Sequence, residues 1–306
     1  MAGGRSGTPA GAQWGAVALV VVLAIVVGAV AYIAYDRANP DGGAQSAAPV
    51  PTFSLGVESA SPTPTETSPD VAVAAREDDR FLSIGSGAWW RSTAGICGGD
   101  EPLVERSDDG GQSWTDVTGR YRDITAVAAL DAFDETEAEM VVAVGEGCET
   151  QGWRTFTQGA FWEPYDDLVL SAARYISPAD AGVVELPSGA IDAPCADARG
   201  LRAAGDVVAL VCDAQAWVLD ADGVTWTTLE TDGAAAVAVD GADVIVAGVA
   251  ADCAGIALTR FAGADPAQPA AAGCADEADV TAPTAIAVTG EGTAVWAGET
   301  LTTISG

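Results

Sequence analysis

The eight residues Ser107-Asp108-Asp109-Gly110-Gly111-Gln112-Ser113-Trp114 constrain this chain most, because they follow the pattern Ser-x-Asp-x-Gly-x-x-Trp at every defined position. Asp109 and Gly111 supply a tight turn, short polar side chains bond nearby backbone amides, and Trp114 packs on the adjoining sheet. The pattern predicts a β-hairpin. Weaker copies align on the tryptophan. Thr155 to Trp162 keeps Thr155, Gly159 and Trp162 but lacks the Asp, and Leu219 to Trp226 keeps Gly223 and Trp226 with its acids displaced by one. Thr259 to Gly263 is a third echo without the Trp.

The same order recurs upstream of each hairpin: an apolar strand, a turn, a second apolar strand, then a cysteine. Ile124 to Leu130 and Met140 to Val144 lead to Cys148, and Val237 to Val239 and Val244 to Val249 lead to Cys253. Leu201 and Val207 to Val211 lead to Cys212, and Trp89 to Ile96 leads to Cys97. Four short strands per unit, with no long helical periodicity, predict an all-β propeller. At ~45 residues per blade the expectation is about five blades, within a range of five to seven. They fall near 79–120, 121–166, 197–230, 232–277 and 282–306, with 167–196 left as a degenerate extra blade. The last unit lacks an outer strand, which Val71 to Ala75 is expected to supply.

Ahead of these repeats, residues 14–35 carry no charge. At ~1.5 Å per residue such a helix crosses a ~30 Å hydrocarbon core. The expected organisation is a short cytoplasmic head (1–13), a transmembrane signal anchor (14–35), a Pro/Ser/Thr/Ala linker (36–75) and an extracytoplasmic domain (76–306). A cleaved signal peptide ending near Ala29-Val30-Ala31, releasing a secreted domain, is the alternative. Both readings export Cys97, Cys148, Cys195, Cys212, Cys253 and Cys274, an even number that favours three disulfides. With the four strands of a unit labelled A to D from the inside out, the B–C and D–A loops share one propeller face, so all six are expected to cluster there. Pairing neighbours gives Cys97 with Cys148, Cys195 with Cys212 and Cys253 with Cys274. Trp153 and Arg154, just after Cys148, are the candidate binding residues expected near that face.

The net charge of −31, from 44 acids against 13 bases, repels nucleic acid. All 13 bases are Arg. Without His there is no Ser/His/Asp or Cys/His site, and without Lys no Schiff-base chemistry. There is no CxxC pair, so neither a metal nor a cofactor is expected.

The octapeptide and its echoes resemble the BNR/Asp-box propellers, a group that includes sialidases, sortilin-type receptors and photosystem II assembly-factor propellers. In this resemblance Ser107, Asp109, Gly111 and Trp114 form the structural Asp-box, and Thr155, Gly159, Trp162, Gly223 and Trp226 belong to degenerate copies. The sialidase Arg-Ile-Pro motif is absent, and no catalytic residue carries over. The anchor and linker fall outside the resemblance; together with it they make the expected protein a membrane-tethered, non-enzymatic module that binds an envelope protein or glycan. An exported glycoside hydrolase of sialidase-like architecture, or an assembly factor for a membrane complex, is the alternative.

Overall fold

The computed structural model describes residues 75–231 and 233–305, which form a six-bladed β-propeller. The first blade is β1 (Arg80–Ile84), β2 (Trp89–Thr93), β3 (Val104–Ser107) and β4 (Thr115–Asp116). The second is β5 (Ile124–Ala132), β6 (Ala138–Val144), β7 (Glu149–Thr155) and β8 (Glu163–Pro164). A short helix, α1 (Asp166–Ala172), leads to the third, β9 (Tyr175–Ile176), β10 (Val183–Leu186) and β11 (Gly189–Asp192). The fourth comprises β12 (Arg199–Ala204), β13 (Val207–Cys212), β14 (Gln215–Leu219) and β15 (Trp226–Leu229). The fifth comprises β16 (Ala236–Asp240), β17 (Asp243–Ala250), β18 (Cys253–Phe261) and β19 (Pro269–Ala275), and the sixth β20 (Thr284–Thr289), β21 (Gly292–Ala297) and β22 (Thr300–Ser305).

Every pairing within a blade is antiparallel, and the inner strands β1, β5, β9, β12, β16 and β20 contact one another around a closed ring. Four blades have four strands. The expected count of about five is thus corrected to six, because residues 167–196 form a full blade position. Its strands are only two to four residues long, too short to show a hydrophobic period. The expected closing strand at Val71 to Ala75 lies, up to residue 74, outside the described residues. Ala75 itself precedes a 3₁₀ turn and is in no strand. No helix among the described residues is long and apolar enough to cross a membrane.

The third blade also runs backwards. Pro178, just after β9, lines the narrow end of the central channel with Asp79 and Cys97, whereas Arg174, just before it, lines the wide end with Ser83 and Asp131. In β1 and β5 the order is the reverse, so β9 opposes the other inner strands. α1 explains the reversal. It packs on β7 and β6, where Val169 fills the space a side chain at Gly152 would need, and carries the chain across to the wide end before β9 begins.

The core lies between blades and is mostly Ala, Val, Ile and Leu, with three tryptophans gathered in the cluster shared by the first two blades. Trp90, Trp153 and Trp162 are fully buried, with Trp90 and Trp162 edge to face at 5.8 Å. Such a pair contributes ~0.5–1.5 kcal/mol beyond its buried area.

Candidate functional site

In the first hairpin, Ser107 Oγ accepts the amides of Asp109 (3.3 Å) and Gly111 (2.8 Å). Asp109 Oδ1 accepts those of Gln112 (3.0 Å) and Ser113 (2.8 Å), and the Ser113 hydroxyl donates to Asp109 Oδ2 at 2.6 Å. Gly111 has φ +86°, a region that L side chains rarely enter. The second hairpin rebuilds this cradle without the acid: Thr155 Oγ1 accepts Thr157 (3.2 Å) and Gly159 (3.1 Å), and Thr157 Oγ1 accepts Phe161 (3.0 Å). In the fourth blade Asp222 takes the acid's part, accepting Val224 (2.9 Å) and Thr225 (2.8 Å). Its offset from Trp226 is one residue shorter, which is why the echo reads as displaced.

Each hairpin tryptophan packs on the preceding blade. Trp114 joins Leu301 and Trp296 of the sixth, Trp162 Nε1 donates to Val117 O at 2.8 Å after the first, and Trp226 Nε1 donates to Asp192 O at 3.0 Å in the third. The motif therefore staples neighbouring blades.

Ser113 and the backbone amides hold the Asp109 carboxyl down at about 2. Because that value is depressed, the group's stabilising contribution is complete above the ordinary carboxylate range and is lost as pH falls through about 2. Carboxyl NMR is expected to show Asp109 titrating there and Ser113→Ala moving it upward. Titration at the ordinary value in the unaltered protein contradicts the cradle.

The wide end of the channel opens into a cavity of about 320 Å³ on the face that carries the Ser107–Trp114 hairpin. Its polar lining is Ser83, Asp131, Glu139, Arg174 and Arg202. Burial by the channel walls pushes the Asp131 carboxyl up, against the Ser83 hydroxyl and the Arg202 charge, although the residue keeps an exposed surface. Arg202 is pulled down by burial despite Asp79 and Asp131, and its guanidinium donates to Leu201 O (2.9 Å) and Arg80 O (3.0 Å). Burial likewise raises Asp79, which accepts the Gly200 amide at 3.1 Å. Arg202 and the Gly200 amide thus bond the fourth blade's inner strand to the first, and Ser83 Oγ, donating to Asp131 Oδ1 at 3.5 Å and accepting the Ala132 amide at 2.9 Å, bonds the first to the second. Asp131 and Glu139 are direct cross-strand partners in β5 and β6, and Glu139 is ion-paired with Arg154 in β7.

From Arg154 a second feature runs outward on the same face. Its guanidinium lies 5.0 Å from the Phe133 ring centroid and 5.7 Å from that of Phe156, and Phe156 meets Tyr165 edge to face at 5.9 Å. Phe133 (44%), Phe156 (46%) and Tyr165 (39%) are exposed, as is Phe161 (64%) across the hairpin. Phe133 comes from the β5–β6 turn, Phe156 and Phe161 from the β7–β8 hairpin and Tyr165 from the start of α1, so the chain's fold brings three separate segments into one ladder.

No family model matches the chain, and no curated protein matches it. Among solved structures it is similar to YCF48 bound to D1 peptide (16% identity over 73% of this chain and 76% of that one, TM-score 0.43). It is also similar to YCF48 from Cyanidioschyzon merolae (14%, 71% and 62%, 0.29) and to GH43B of a Bacteroides ovatus xyloglucan locus (8%, 75% and 49%, 0.37). The chain spans less than two thirds of the latter two. The propeller rests on the strand pairing above and not on these likenesses.

The six cysteines form the three expected neighbour disulfides, Cys97–Cys148, Cys195–Cys212 and Cys253–Cys274. Cys253, Cys274 and Asp276 lie together, but both thiols are in a disulfide and offer no metal ligand. Trp153 and Arg154 are not on the cysteine face, which corrects their expected position. Trp153 is buried, with Nε1 donating to Gln151 Oε1 at 2.9 Å. Arg154 sits six residues beyond Cys148, so at ~3.3 Å per residue β7 carries it about 20 Å toward the opposite face. The larger cavity and the Phe133, Phe156 and Tyr165 rings lie at the end opposite the cysteines.

Proposed function

We propose that the protein is a membrane-tethered, extracytoplasmic propeller of the BNR/Asp-box type that binds a protein or glycan at the cell envelope without catalysing a reaction. The uncharged run 14–35, the Pro/Ser/Thr linker and the three disulfides support the tether and the compartment. The shared hydrogen-bond cradle of the hairpins supports the Asp-box kinship. The observation that carries binding is the exposed Phe133–Arg154–Phe156–Tyr165 ladder, since rigid aromatics around an arginine are favoured interface anchors.

One observation favours a glycoside hydrolase instead. Asp131, its carboxyl raised by burial, is the cross-strand partner of Glu139 at the edge of a cavity, and such hydrolysis uses two carboxyl groups flanking the scissile bond. Against it, the Glu139 carboxylate is occupied by Arg154. Full-length protein offered a panel of fluorogenic glycosides is expected to leave all of them intact. Turnover abolished by Asp131→Asn replaces the binding reading with the hydrolase.

A further inference from the structure

The geometry of the second blade points to a specific occupant: we infer that its ladder docks a basic, apolar polypeptide segment of another protein. This rests on the binding reading above and narrows its partner to a polypeptide.

Three of the chain's six phenylalanines, Phe133, Phe156 and Phe161, stand exposed on this one blade. Covering exposed rings removes apolar area from water, so a cluster of them marks a surface that a partner covers. The cluster is also rigid. Glu139 fixes Arg154, and Arg154 spaces the rings of Phe133 and Phe156, so a partner meets a preformed apolar face with little side-chain freedom left to lose.

Charge selects the partner. Exposed carboxylates of Asp134, Glu135, Asp166 and Asp167 lie in the segments that carry the ladder, while the cations beside it, Arg154 and Arg122, are already paired with Glu139 and Glu163. The rim adds to a chain net charge of −31. That field attracts Lys and Arg and repels acidic glycans, acidic peptides and phosphate backbones. The mode of docking follows from the blade's outer edge. β8 is two residues long and ends on Pro164, which has no amide N–H to offer an added strand. The partner therefore docks through side chains, apolar groups on the rings and cationic groups on the rim.

Fluorescence anisotropy with the full-length protein tests this using a labelled fifteen-residue peptide of Lys and Leu at helical spacing, a matched Glu/Leu peptide, and cellohexaose as competitor. The Lys/Leu peptide is expected to bind and the Glu/Leu peptide to fail. The double variant Phe156→Ala with Phe161→Ala should weaken binding at least tenfold with an unchanged thermal midpoint, because both side chains are exposed. Val224→Ala, on the same face of the fourth blade, should leave binding unchanged. Asp134→Asn with Glu135→Gln and Asp167→Asn should weaken it and flatten its salt dependence. Three outcomes overturn the inference: no binding of the Lys/Leu peptide, equal affinity in the Phe double variant, or displacement by cellohexaose. If those outcomes occur while crosslinking of the full chain still recovers an envelope partner, binding survives at another surface. If glycosides are cleaved instead, the binding reading itself fails.

Discussion

Trp162→Ala is expected to destabilise the propeller by about 3–5 kcal/mol, the range for emptying a fully buried large aromatic site. Trp162 is fully buried, stacks edge to face on Trp90, and donates its indole N–H to Val117 on the chain leaving the first blade. The substitution removes packing, the aromatic pair and one inter-blade hydrogen bond together, and leaves the Val117 carbonyl without its donor. Collapse around the cavity is restricted because Gly119 already lies against both Trp153 and Trp162 with no side chain to move inward. Trp226→Ala removes the equivalent staple in the fourth blade, where the ring is only half-buried, and should cost clearly less. Urea unfolding of both variants measures the contrast. Equal losses would mean that the hairpin tryptophans act through a local turn effect and not by joining blades.

The double change Cys97→Ser with Cys148→Ser is expected to cost about 2–4 kcal/mol. The bond closes 51 residues of separation and ties the first blade to the second at the narrow end of the channel, opposite the Trp162 staple. Cys195–Cys212 and Cys253–Cys274, with separations of 17 and 21, span shorter loops and should contribute less in the chain-entropy view. Denaturant midpoints of the three double-serine proteins rank them. The account is wrong on this point if the Cys97/Cys148 protein is the most stable of the three.

The blade repeat was legible where its strands are long. The apolar runs of β5, β6, β17 and β18, each seven to nine residues, and the cysteines that close the turns after β6 and β13 announced four strands per unit and the disulfide partners. The third blade was not legible, because β9 has two residues and its blade is entered through a helix of seven. Nor does any local pattern report that β9 runs against its neighbours. Arg154 was misplaced for a geometric reason: sequence adjacency to Cys148 suggested one face, while an extended strand carried it to the other. The ladder itself left a faint signal. Phe156 and Phe161 flank the Gly159 turn, where exposed positions are expected, but their convergence with Phe133 and Tyr165 depends on the β5–β6 turn and α1 meeting in space. Asp131 and Arg202 were likewise indistinguishable among abundant acids and arginines until the channel set them apart.

Site-specific photocrosslinking in intact cells tests docking on the second blade, with a photoreactive side chain placed in the full-length protein at position 156, at 224 on the same face, or at 98 on the cysteine face. A discrete polypeptide adduct is expected from position 156 alone, lost when Phe161→Ala is added. Adducts of equal yield from all three positions, or a discrete adduct only from position 98, would contradict it.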